Sequence, residues 1–194
     1  MLREMIVNGQ FYPDSPVELN KMITSFMPKV YNKTNAIGAI LPHAGYVFSG
    51  IVSGNTLSQI QSKKTYIILG TNHTGRGESF AIEKRDWQTP IGLVLTDKEL
   101  ADNILEKSDI IKNDSIAHKF EHSIEVQMPF IKRINEEAKV VAISISSAPL
   151  EIYEKIACDI VKTIEKRDDV CVLASSDMDH YESGDIVKQK DMLA

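Results

Sequence analysis

The chain has 194 residues, 43 % hydrophobic and 25 % charged, with a net charge of −5 at neutral pH, a balance that can bury a sizeable core. Acidic charge, with no run of Lys or Arg longer than a pair such as Lys63-Lys64, excludes the electrostatic footprint of a nucleic-acid binder. No stretch approaches the ~20 apolar residues of a membrane span, and the opening MLREMIVNGQFYP lacks the apolar segment of a secretory signal, so the expected location is the cytoplasm.

In chain order, the first apolar run covers residues 36–41 and stops at Pro42-His43-Ala44-Gly45. Helical spacing of Ile51, Val52, Leu57 and Ile60 follows over 49–61. A second run, 65–70, ends at Thr71-Asn72-His73-Thr74-Gly75. Residues 79–82 and 92–96 read as two short strands paired around a turn containing Trp87. Thr96-Asp97-Lys98-Glu99 has the form of a capping box, predicting a helix over 96–107 with Thr96 as its cap.

Ile124, Met128 and Ile131 predict a helix over 121–135. A third run covers 139–147, a helix with Ile152, Ile156, Ile160 and Ile164 covers 150–166, and a fourth run, 170–175, leads into Ser176-Asp177-Met178-Asp179-His180. The runs are Ile/Val-rich without clean alternation, as strands buried on both faces are. Strands alternating with helices predict a layered α/β fold, a central, mostly parallel or mixed sheet flanked by helices. With no linker or repeat, one domain over 1–194 is expected.

Ligands of such sheets bind at the carboxyl ends of the strands. Three strand ends deliver His43, His73 and His180, and the other two histidines, His118 and His122, lie four apart where one helix face would carry both. Neutral imidazole suits Fe, Zn or Cu, so His43 and His73 are expected to share one metal, brought together by adjacent strands ~4.8 Å apart. Asp177 and His180 are candidates for ligand, general base or orienting pair.

His118 and His122 are expected to orient ligands rather than bind directly, with Glu121, Glu125, Asn72, Ser175 and Ser176 around the same pocket; at least one of Glu121, His122 and Glu125 should be buried there. A serine hydrolase is disfavoured because no G-x-S-x-G elbow surrounds Ser49 or Ser175, and the Gly70 loop lacks the lysine of a phosphate loop. Cys158 and Cys171 read as two buried thiols in a reducing compartment.

Four motifs, LPHAGYVFSG, ILGTNHTG, EHSIEVQMPF and SSDMDHY, together resemble the Memo family, whose fold is similar to that of the class III non-haem iron extradiol dioxygenases. The resemblance implies that His43 and His73 match two metal-binding histidines and that Asp177 and His180 match an acid and a histidine lining the same pocket. It implies a cysteine as third ligand, expected beyond Ala194 with the remaining C-terminal part of the domain. Thr71 stands where the family usually has Pro. Fe(II) is the metal expected first, with Cu or Zn as alternatives, for dioxygenase-like redox chemistry on an unidentified small molecule or peptide. A binding or scaffold protein that keeps the pocket, and a metal-dependent hydrolase, remain alternatives.

Overall fold

The computed structural model describes residues 2–179 and 182–193; His180 therefore lies outside the described residues. The chain runs through β1 (Leu2–Arg3), α1 (Pro16–Phe26), β2 (Gly38–Leu41), α2 (Tyr46–Ser58), β3 (Thr65–Thr71), β4 (Phe80–Glu83), β5 (Asp86–Thr89), β6 (Gly92–Thr96), α3 (Lys98–Lys107) and β7 (Lys112–Asn113). A 3-10 turn at Glu125–Gln127 opens into α4 (Met128–Ile134), then β8 (Lys139–Ile145), α5 (Leu150–Ile164), β9 (Val170–Ser175) and α6 (Gly184–Asp191).

The strands form one mixed sheet ordered β1-β5-β6-β8-β3-β9-β2, with β4 pairing both β7 and β8. All pairs are parallel except β4 with β8 and β5 with β6. Successive side chains of a strand point to opposite faces, and both faces are covered here. Tyr66, Ile68, Val140 and Ala142 join a cluster with Leu19, Ile23, Tyr46 and Phe130 of α1, α2 and α4. Ile67, Val141 and Ile143 join one with Leu100, Ile104, Ile156 and Ile160 of α3 and α5. Two-sided burial is why β3 and β8 carry unbroken apolar runs. Among the described residues β2 pairs only with β9; along this flank Ile37, Ile40, Val47, Phe48, Ile51 and Val52 are exposed.

Several expectations are corrected. The strand at 79–82 does not pair with Gly92–Thr96; the hairpin is β5 with β6, and Trp87 lies inside β5 because its side chain is buried in the core. The cap of α3 is Asp97, whose side chain accepts Leu100 N–H, while Thr96 is held in β6 opposite Val140. The helix over 121–135 is cut to Met128–Ile134, because the carboxylate of Glu121 takes the N–H groups of His122 and Ser123 and turns the chain there. Cys171 is buried but Cys158 is exposed, on the outer side of α5. No helix among the described residues is long and apolar enough to cross a membrane.

Candidate metal centre

Leu41, Ser175 and Gly70 stand side by side where β2, β9 and β3 end. Two residues beyond the last residue of each strand come His43, Asp177 and His73 respectively. The strands of the two histidines are not adjacent as expected, since β9 runs between them. Their loops nonetheless fold inward over its end, and the rings meet edge to face with centroids 5.1 Å apart. His122, from the turn before α4, stacks on His73 at 4.8 Å and lies edge-on to His43 at 5.6 Å. Each ring offers one nitrogen within 4.8 Å of the other two.

Hydrogen bonds behind the rings set which nitrogen faces the pocket. The Ser175 hydroxyl donates to Ser123 C=O at 2.5 Å and accepts from Gln127 Nε2 at 2.9 Å. Its only proton is thereby used, so His43 Nδ1, 3.2 Å away, must be the donor to Ser175 Oγ, leaving Nε2 with the lone pair. His73 Nδ1 lies 2.8 Å from Glu121 Oε1, which leaves its Nε2 as the free donor atom. Glu121 also accepts the backbone N–H of His73 at 2.6 Å. Oε1 of the same carboxylate lies 3.4 Å from His122 Nδ1.

Burial pushes the pKa of His43 and His122 below the usual imidazole value, against the opposing pull of Asp177 on His43 and of Glu121 on His122. Both rings are therefore neutral at physiological pH and able to coordinate. For Glu121 burial acts upward, but hydrogen bonds from His73 and Ser123 outweigh it and hold the carboxyl below the usual range. Asp177 accepts the N–H groups of His43 and Ala44 through Oδ1, and its Oδ2 lies 3.8 Å from His43 Nε2.

The turn carrying Glu121 and His122 is braced from the N-terminus. Arg3 donates through Nε to His118 C=O and through Nη2 to Glu121 C=O, both at 2.8 Å, and pairs with Glu125 at 3.2 Å. Glu125, fully buried, also accepts Ile6 N–H, Val7 N–H and the Tyr12 hydroxyl.

Of the residues expected around the pocket, Glu121 and Ser175 contact its rings, while Glu125 supports the turn. Asn72 instead staples its own loop, and Ser176 is exposed with its hydroxyl on Asp177 C=O. His118 is elsewhere: fully buried, with Nε2 on Ala81 C=O at 2.9 Å and its ring edge-on to Trp87. Without a helix at 118–122 the four-residue spacing has no common face. His122 is in turn a direct donor candidate rather than an orienting residue. Arg3, Ser123 and Gln127 escape sequence reasoning, because nothing near them in the chain marks partners as far away as Glu125 is from Arg3.

Three imidazoles on separate loops, two held in a fixed tautomer, form a set that can hold a divalent metal. His122 supplies a third imidazole among the described residues, where the resemblance puts the third ligand beyond Ala194.

The sequence profile of the Memo-like protein family matches residues 3–193. The chain is 34 % identical over 193 residues to a MEMO1 family protein of Methanosarcina barkeri, covering 98 % of this chain and 72 % of that one. It is 37 % identical to one of Pyrococcus furiosus, covering 93 % and 66 %. A third, from Desulfurococcus amylolyticus, is 38 % identical over 209 residues, covering 99 % and 74 %.

Proposed function

The chain belongs to the Memo family, and on that premise we propose that it is a metal-dependent oxidoreductase acting on a small organic substrate, with Fe(II) held by His43, His73 and His122. The observation that carries this reading is the convergence of three imidazoles from three separate loops, two with their outer nitrogens occupied. A bound Fe(II) supplies a redox-active centre with positions left for O2 and substrate.

The protein's own groups do the rest. His73, its side chain 41 % exposed, marks the open side from which substrate enters, while His43 forms the buried floor. Asp177 is fixed by two backbone N–H groups with its second oxygen facing His43 Nε2, and from there it takes the proton of an acidic substrate hydroxyl. Phe11, tilted against His122 with ring centroids 4.7 Å apart, limits water on that side.

The test is anaerobic Fe(II) titration of the wild type and of His43→Ala, His73→Ala and His122→Ala, followed by O2 uptake with a panel of catechols and other small diols. The expected result is one metal per chain, with each variant weakened by more than the ~10–100-fold typical of a residue that only orients a ligand. Fe(II)-dependent O2 uptake supports the redox reading. Unchanged affinity in His122→Ala removes that residue from the ligand set, and Zn-dependent ester hydrolysis without O2 uptake replaces the redox reading with a hydrolytic one.

A further inference from the structure

Beside His73 the chain builds a cationic rim that the metal centre leaves unused. Asn72 Nδ2 donates to Arg76 C=O, and Asn72 Oδ1 accepts from the Thr74 hydroxyl and from Gly75 N–H, each at 3.0 Å. Gly75 and Gly77 adopt φ of +60° and +69°, and a Cβ on Gly77 would stand 2.6 Å from Ala117 N. A loop pinned in this way delivers Arg76 to a defined place, its guanidinium carbon 4.9 Å from the centre of the Phe120 ring.

Lys119 Nζ lies 5.2 Å from the centre of the same ring. Phe120 directly precedes Glu121, the carboxylate that holds His73, so ring and metal centre share one turn. The ring is 48 % exposed, and with Thr74 and Arg76 it lines a recess of about 330 Å³. Other cations of this region are neutralised, Arg3 by Glu125 and Arg85 by Glu83. Among the described residues neither Arg76 nor Lys119 is ion-paired with a carboxylate. Two unneutralised cations gathered on one half-exposed aromatic ring, in a chain of net charge −5, attract a planar anion: the guanidinium binds its oxygens and the ring its apolar body.

We propose that Arg76 and Phe120 form a subsite for the anionic group, carboxylate or phosphate, of a small aromatic or unsaturated acid, with Lys119 adding a second positive charge at the same ring. That this acid is the substrate of the neighbouring pocket rests on the metal-centre reading; the anion subsite does not.

The experiment measures binding of benzoate and of phenyl phosphate to the full chain by NMR titration at low salt, for the wild type, Arg76→Gln, Lys119→Gln, the double variant and His43→Ala. Saturable binding to the wild type is expected, weakened about tenfold in Arg76→Gln, through loss of a charge-assisted contact, and further in the double variant. His43→Ala should keep anion binding while losing metal. The tighter of the two anions identifies the group. Absence of saturable binding of both, or equal binding in wild type and double variant, overturns the subsite. If both anions bind as expected while metal titration fails, the subsite stands and the metal reading falls.

Discussion

Glu121 concentrates the site's control in one carboxylate, which accepts two hydrogen bonds from His73 and the backbone N–H groups of His122 and Ser123 at 2.9 Å each. In Glu121→Gln the amide NH2 faces donors on one side, so metal affinity should fall by roughly 10–100-fold. Stability should fall by about 1–3 kcal/mol. Calorimetric metal titration and urea unfolding read the two effects, and an affinity equal to wild type would show that His73 needs no carboxylate behind it. His118 supplies a pH effect away from the pocket. Its Nε2 must carry a proton to meet Ala81 C=O, and burial pushes its pKa down. The unfolded chain therefore gains a proton as pH falls below ~6.5 while the folded chain refuses it. Stability is full above that value and is lost as pH falls toward the lowered folded value, at up to about 1.4 kcal/mol per pH unit for each such group. His43 and His122 act in the same direction. Urea unfolding of His118→Phe between pH 7.5 and 5.5 should show a shallower slope than wild type; parallel curves would acquit this residue.

Among the elements, β1 has an influence beyond its two residues. Paired through Leu2 with Asp86 and Arg3 with Trp87, it carries the guanidinium that binds two carbonyls of the turn before α4 and closes on Glu125. Arg3→Met leaves a buried carboxylate without its cation, an effect of roughly 3–5 kcal/mol. Arg3→Met combined with Glu125→Gln should cost less than the sum of the single changes, by about 1 kcal/mol or more, in denaturant unfolding; strict additivity would show that the pair is not coupled. This turn is also where sequence reading fails. Ile124, Met128 and Ile131 are all fully buried with helical spacing, yet only the last part is helical, because hydrogen bonding of Glu121 and Glu125 to distant backbone is invisible to a local pattern. By contrast β3, β8 and β9 are legible since burial on both faces leaves continuous Ile/Val runs. His43, His73 and Asp177 are legible because each lies within three residues of the end of an apolar run. His122 stands among the three rings and His118 lies apart from them, positions the sequence pattern does not distinguish because both depend on the irregular turn.

At the scale of the whole molecule, a mostly parallel sheet directs the ends of β2, β9 and β3 to one rim, and helices on both faces leave that rim to the loops. The three strands are unequally secured. Among the described residues β3 and β9 each have neighbours on both sides, while β2 is held on one side alone. A strand bonded along a single margin frays at lower free energy than a central one, and its amides should exchange with deuterium soonest among these three. Yet this strand ends two residues before His43. A metal shared with His73 and His122 would rivet the free margin to the inner strands, since binding only the closed form shifts the opening equilibrium. Deuterium exchange of amides 38–41 should slow on saturation with Zn(II), while that of the β3 amides changes little. Equal protection in both states would mean that β2 stays closed without the rivet.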